Sequence, residues 1–234
     1  GGYMRLATFN CENLFARYKF RKNYEYDPVE SDGFTINNLA FDIYDETAKT
    51  ITARAIREVD ADIIALQEIE SLPVLDCFNS RYLASMKYLH RILVDSHDTR
   101  GIDIALLSRY PIISIRSYRH EKNAANTAFL FSRDNLEVIL DVNKKTLVLY
   151  VNHFKSMVGG REQTRSRRVE QCTRVADIIN SQWKSKNYKG NFVVLGDFNG
   201  YLDDKTSLTP LLEHPGLVNV IERLPEKDQW THYY

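Results

Sequence analysis

Four apolar runs in this chain each end in a short cluster of polar, chemistry-bearing residues, and that repetition constrains the fold more than any other feature. Leu6-Ala7-Thr8-Phe9 leads into Asn10, then Cys11-Glu12-Asn13. Ile63-Ile64-Ala65-Leu66 leads into Gln67-Glu68, and Leu147-Val148-Leu149-Tyr150-Val151 into Asn152-His153. Asn191-Phe192-Val193-Val194-Leu195 leads into Gly196-Asp197-Phe198-Asn199. Short, partly β-branched apolar runs bounded by polar residues read as strands buried on both faces. In layered α/β folds, the residues just past the carboxyl ends of such strands converge on one crevice. If these four strands are neighbours, Asn10, Glu68, His153, Asp197 and Asn199 share it.

The rest of the chain supplies the other layers. Ala48, Ile51, Ala55, Ile56 and Val59 fall at helical spacing. Pro73 suits a helix start, with Val74, Leu75, Phe78, Tyr82 and Leu83 behind it. Residues 88–94, 102–108, 112–118, 129–131 and 136–141 read as further strands, with a turn at Arg133-Asp134-Asn135. The longest helix is expected over 162–184, where Val169, Cys172, Ala176, Ile179 and Trp183 form one apolar stripe. Residues 17–44 are polar and aromatic and read as a long irregular insertion, of the kind that is usually functional. Gln229-Trp230-Thr231-His232-Tyr233-Tyr234 reads as the opening of another strand. Strands throughout, with helices early and late, imply an α/β protein of two packed sheets with helices outside. At 234 residues with 44% hydrophobic content, one domain over 1–234 is the simplest division.

Composition narrows the function classes. Lys+Arg and Asp+Glu both number 31, so the molecule exerts no general pull on nucleic acid and any anion site is local. Cys11, Cys77 and Cys172 are too scattered for a disulfide framework or a zinc site and read as reduced, packed thiols. No apolar stretch approaches the ~20 residues of a membrane span. Gly1-Gly2 leaves open a removed leader, so the expected location is secreted or periplasmic with a leader and cytoplasmic without one. Nothing points to a protein partner, and a monomer is expected.

Taken singly, Glu68, His153, Asp197, Asn10 and Asn199 each have a structural explanation as a cap, a turn residue or a hydrogen-bonded core group. Taken together, two carboxylates, an imidazole and two amides suit hydrolysis assisted by a hard cation such as Mg²⁺, which prefers oxygen ligands and keeps waters for a substrate phosphate. The same segments carry a resemblance. Ala7-Thr8-Phe9-Asn10 with Glu12-Asn13-Leu14-Phe15, residues 61–68 (ADIIALQE), residues 103–112 (DIALLSRYPI), Asn152-His153-Phe154-Lys155-Ser156 and Gly196-Asp197-Phe198-Asn199 resemble the motifs of the endonuclease/exonuclease/phosphatase superfamily (DNase I-like). Arg100-Gly101-Ile102-Asp103, Gly159-Gly160 and the arginine-rich helix are most similar to its bacterial extracellular-nuclease-like members.

The resemblance implies a four-layer α/β/β/α sandwich with one cleft. It implies that Glu68 binds Mg²⁺ or Mn²⁺ with Asn10 close by, that Asp197 orients or deprotonates the attacking water with help from Asn199, and that His153 hydrogen-bonds the scissile phosphate. The expected activity is low-specificity endonuclease cleavage of DNA, with RNA as the alternative nucleic acid. Two other readings stay open: a phosphatase or phosphodiesterase for a small molecule or lipid headgroup, and a non-catalytic binding module. Lys155, Arg100, Arg161, Arg165 and Arg168 are candidate phosphate contacts, while at least half of the helix arginines are expected to be solvated and paired with Glu162 and Glu170. The family also carries a Ser-Asp-His motif in its last strands, and the sequence reaches Tyr234 without one. His232 lies inside the preceding strand motif and is no substitute. A truncated piece, a tail supplied separately and a natural short form remain possible, and a chain truly ending there is expected to hydrolyse poorly.

Overall fold

The computed structural model describes residues 3–19, 40–43, 46–201 and 207–231. In chain order the elements are β1 (Leu6–Leu14), β2 (Ala16–Lys19), β3 (Ala40–Ile43), α1 (Glu46–Val59), β4 (Ile63–Ile69), α2 (Leu72–Tyr82), β5 (His90–Val94), β6 (Asp103–Ser108), β7 (Ile112–Ser117), β8 (Asn135–Val142), β9 (Lys145–His153), α3 (Arg161–Trp183), β10 (Phe192–Asp197) and α4 (Thr209–Leu212). Two four-stranded sheets run in the orders β1-β4-β6-β5 and β10-β9-β8-β7. Each is mixed. β1 and β4 are parallel, as are β10 and β9, and the other pairs are antiparallel.

Strand alternation builds the layers. On β4, Ile63 and Ala65 face the second sheet, while Ile64 and Leu66 face α1 and α2, where they meet Ala53, Ile56, Val74, Leu75 and Phe78. On β9, Leu147, Leu149 and Val151 face the first sheet, and Val148 and Tyr150 pack beneath Cys172, Val175, Ile178 and Ile179 of α3. A strand covered on both faces must be apolar at every position, which is why these runs do not alternate in sequence. Each buried Leu, Ile or Val contributes roughly 1.5–3 kcal/mol. The architecture is the expected α/β/β/α sandwich of two packed mixed sheets.

Several sequence expectations change. Ile51 and Val59 are 65% and 41% exposed, and α1 instead buries Lys49, Ala53 and Ile56. A helix face is chosen by where the neighbouring sheet lies, and apolar spacing alone did not locate it. Residues 129–131 are not a strand: Phe129 makes an isolated bridge to Lys122, and Leu130 and Phe131 pack as loop residues against α3. The turn before β8 is present, but Arg133, Asp134 and Asn135 are all buried. Of the expected insertion, residues 17–19 and 40–43 belong to an antiparallel β2-β3 ladder, and the remainder lies outside the described residues. Residues 229–231 are not a strand, and 232–234, with His232, lie outside the described residues. Cys11, Cys77 and Cys172 are free thiols, and burial pushes Cys11 and Cys172 up to about 12, so both are unreactive near neutrality. No helix among the described residues is long and apolar enough to cross a membrane.

Candidate active site

The four strands singled out in the sequence are the two parallel pairs. Asn10 is in register with Gln67 where the regular β1-β4 pairing stops, and Asp197 with His153 at the end of β10 and β9. β10 also packs against β1 and β4 across the sandwich, so all four carboxyl ends come together. Asn10 joins the two sheets: its Nδ2 donates to Glu68 Oε1 at 3.3 Å and to Asp197 Oδ2 at 3.0 Å. Asn13 N–H donates to Glu68 Oε2 at 3.0 Å. Each Glu68 oxygen therefore keeps a lone pair that can take a hard cation or a water. Among the described residues, no three His, Cys, Asp or Glu side chains converge as a metal cage.

Backbone strain concentrates at these strand ends. Glu12 (φ 47°), Asn13 (φ 63°), Glu68 (φ 65°) and Asn199 (φ 47°) are left-handed, and the β1-β4 ladder is irregular over the first three. A non-glycine residue held there costs on the order of 1–3 kcal/mol and persists only where its surroundings over-determine it. Sequence had assigned Glu68 to the end of an ordinary strand. The bulge turns its carboxylate back toward Asn10.

Asp197 is held from the other side. Asn199 N–H donates to Asp197 Oδ1 at 2.9 Å, while Asn199 Nδ2 donates to the Phe154 carbonyl at 2.9 Å and ties the segment to the end of β9. His153 Nε2 lies 3.9 Å from Asp197 Oδ2. The His153 imidazole is buried, and that burial, with the Arg133 cation next in importance, pushes it down to about 3 against the pull of Asp197. It is therefore neutral at physiological pH, with one nitrogen free to donate and one to accept.

This shift sets a pH dependence of stability. The folded value lies below the unfolded value of about 6.5, so the unfolded chain binds the proton more readily. His153 stabilisation is then fully present above about pH 6.5 and is lost progressively as pH falls toward 3. Urea unfolding of the wild type is expected to show a steeper loss between pH 6.5 and 4.5 than His153→Gln. Equal slopes would show that His153 does not carry it.

Arg133 was not anticipated as a site residue. It is 2% exposed, donates to the Phe154 carbonyl and lies 3.5 Å from Asp98 Oδ2. Burial holds its guanidinium below the ordinary value; Asp98, Asp197 and Glu68 pull it up, and Arg100 pushes it down. Nothing in the sequence spacing distinguished it, because an arginine in a turn reads as solvated. Arg100 is near the same charges, with Nε and Nη2 gripping Asp98 at 3.1 and 3.0 Å. Lys155 is half-buried at the end of β9, and burial, then Arg133, Arg100 and Arg168, lowers its pKa. These cations disfavour one another, which is the electrostatic signature of a local anion site in a neutral molecule.

The α3 arginines divide. Arg165 pairs with Glu162 at 2.7 Å, and Arg161 stands over the Tyr201 ring at 5.1 Å. Arg174 grips Glu121 at 2.7 Å through two nitrogens, and Arg167 donates to the Phe129 carbonyl. Arg168 corrects an expectation. It is 0% exposed, and its guanidinium donates to Thr164 Oγ1 at 2.6 Å and to the carbonyls of Arg161, Lys155 and Ser156 at 2.9, 3.3 and 3.3 Å. Helical spacing put it on a stripe with Arg161 and Arg165, but the loop after β9 folds over that stripe. Arg168 braces the loop carrying Lys155, and its buried guanidinium is turned to those protein acceptors.

His153 Nδ1, Arg133 Nε, Asn152 Oδ1 and both amide atoms of Asn135 are buried without a hydrogen-bond partner among the described residues. Most buried polar atoms are satisfied, so orphans gathered at the same strand ends mark a place built for a polar ligand or water. No curated protein matches the sequence. Among solved structures, the chain is similar to the human Nocturnin catalytic domain with bound sulfate at 17% identity and a TM-score of 0.59, covering 80% of this chain and 70% of that one. It is similar to sphingomyelinase C from Streptomyces griseocarneus at 17% identity and 0.54, covering 88% and 69%. It is also similar to a beta toxin mutant from Staphylococcus aureus with bound magnesium ions at 16% and 0.54, covering 74% and 63%. At these identities the likeness shows the shared fold. The sequence profile of the endonuclease/exonuclease/phosphatase family matches residues 5–220, nearly the whole chain, and with the sandwich and its strand-end cluster it shows that this chain belongs to that family.

Proposed function

We propose that this chain, acting as a single-domain monomer, hydrolyses phosphodiester bonds in nucleic acid, DNA foremost and RNA as the alternative, with Mg²⁺ or Mn²⁺ bound at Glu68. The observation that carries this reading is the hydrogen-bonded chain Glu68–Asn10–Asp197, which joins both sheets beside a neutral, buried His153. The donor set fits the cation. Glu68 offers carboxylate oxygens with free lone pairs and Asn10 stands beside them, which suits an ion that keeps several waters. When bound, such a cation neutralises charge on the phosphate and helps to stabilise the departing oxygen.

The protein's own groups do the remaining work. Asp197, fixed by Asn10 and Asn199, orients a water and takes its proton as it attacks phosphorus in line with the leaving oxygen. His153 is neutral, so it stabilises the phosphate by donating a hydrogen bond rather than by charge. Arg133 supplies a fixed positive charge behind it. Arg100 and Lys155 share the Arg133 field, and Arg161 and Arg165 stand in the first turns of α3, which Arg168 ties to the loop of Lys155; these are the groups assigned to following a phosphate backbone. That succession of cations favours a polyanion over a single small ester.

The test is nicking of supercoiled plasmid with Mg²⁺, run beside bis-p-nitrophenyl phosphate and sphingomyelin vesicles. Wild-type protein is expected to nick, chelation to abolish nicking, and Glu68→Gln to lose both nicking and Mn²⁺ binding by calorimetry. Nicking that survives chelation would remove the metal role. Hydrolysis of sphingomyelin without nicking would move the substrate to lipid headgroups.

A further inference from the structure

We propose that Lys49 is a positioning residue for the Glu68 cation site, an inference that rests on the function proposed above. Lys49 is 4% exposed within α1, where a lysine ordinarily points to solvent. A buried ammonium is costly unless it is well bonded. Its Nζ donates to the Cys11 and Glu12 carbonyls, both at 2.7 Å.

Those two carbonyls belong to successive peptide units in the strained bend of β1. In a trans peptide the C=O and the following N–H point in opposite directions. The Cys11 carbonyl therefore faces Lys49 while Glu12 N–H, in the same unit, faces Asn10 Oδ1 at 2.9 Å. The Glu12 carbonyl faces Lys49 while Asn13 N–H faces Glu68 Oε2 at 3.0 Å. One ammonium thus sets two peptide planes, and their far sides hold Asn10 and Glu68. Its charge also polarises both peptides and strengthens the bonds they donate. The left-handed Glu12 and Asn13 would otherwise relax toward a regular strand, which turns these N–H groups away.

The experiment measures Mn²⁺ affinity by calorimetry, together with thermal melting, for wild type, Lys49→Met, Glu68→Gln and the double variant. Lys49→Met is expected to bind Mn²⁺ about 10-fold more weakly or worse, as for loss of other groups that orient a metal ligand. The double variant is expected to bind no more weakly than Glu68→Gln, because the two act in series. A folded Lys49→Met with unchanged affinity, beside an impaired Glu68→Gln, overturns the proposal and leaves the Glu68 site standing. Unchanged affinity in Glu68→Gln overturns the Glu68 site itself, and the role of Lys49 with it. If Lys49→Met does not fold, Lys49→Gln probes the same route. Its neutral amide is one atom shorter than the lysine ammonium, so the charge and the joint grip on the Cys11 and Glu12 carbonyls are lost; affinity should fall severalfold, and an unchanged value overturns the proposal.

Discussion

Asp197→Asn is expected to lower phosphodiester hydrolysis by about 1,000-fold while leaving the fold intact. The amide keeps the carboxylate's shape and its one oxygen can still accept from Asn199 N–H at 2.9 Å, but its NH2 cannot accept, so the bond from Asn10 Nδ2 at 3.0 Å is lost as well. What disappears is the ability to take a proton from the attacking water and the negative charge 3.9 Å from His153. Single-turnover cleavage of a labelled duplex, compared with a melting curve, separates the two effects. Cleavage within about threefold of wild type would exclude Asp197 as the base, since general-base groups ordinarily contribute 10²–10⁴-fold. The loss should fall on kcat, because an interaction made only in the transition state leaves substrate binding largely unchanged.

Gly196→Ala is expected to be the most damaging single substitution for stability, costing about 4 kcal/mol or more, in the range reserved for severe backbone conflict. Gly196 has φ 132°, which residues with a Cβ rarely adopt. A Cβ there would lie 1.9 Å from the Asn152 carbonyl oxygen and 2.8 Å from the Asn152 backbone C and N. Those atoms belong to β9, whose Asn152 is in register with Gly196, so neither strand can yield without breaking the parallel ladder. The damage would reach the site, because the next pair in the ladder is Asp197 with His153. Urea denaturation reads the loss directly. A midpoint close to wild type would show that the two strands can separate at no great cost.

Much of this molecule is legible in its sequence because burial on two faces leaves a pattern. Runs such as Ile63-Ile64-Ala65-Leu66 can be little else than central strands, and the Cys172–Ile179 stripe marks the helix that covers one sheet. The strand-end residues follow from the same logic, since their chemistry interrupts the apolar runs. Residues whose roles depend on the path of another segment were not legible. Arg168 and Arg161 occupy one stripe of α3, yet the loop after β9 buries the first and leaves the second at the surface. Lys49 lies among α1 residues whose apolar spacing pointed to Ile51 and Val59, both of which are exposed.

By itself the sequence determined the layers, the four strands whose ends carry Asn10, Glu68, His153, Asp197 and Asn199, and the family to which they are similar. Those follow from short-range patterns of burial and residue type, which survive without knowledge of the path of the chain. The tertiary structure alone decided the pairing of Asn10 with both carboxylates, the neutral state of His153, and the burial of Arg133, Arg168 and Lys49. Each of these depends on groups far apart in the chain, such as Asn10 and Asp197, meeting at hydrogen-bond distance in a site withdrawn from water. Local spacing cannot encode that proximity, and only there do distance and desolvation set charge and geometry.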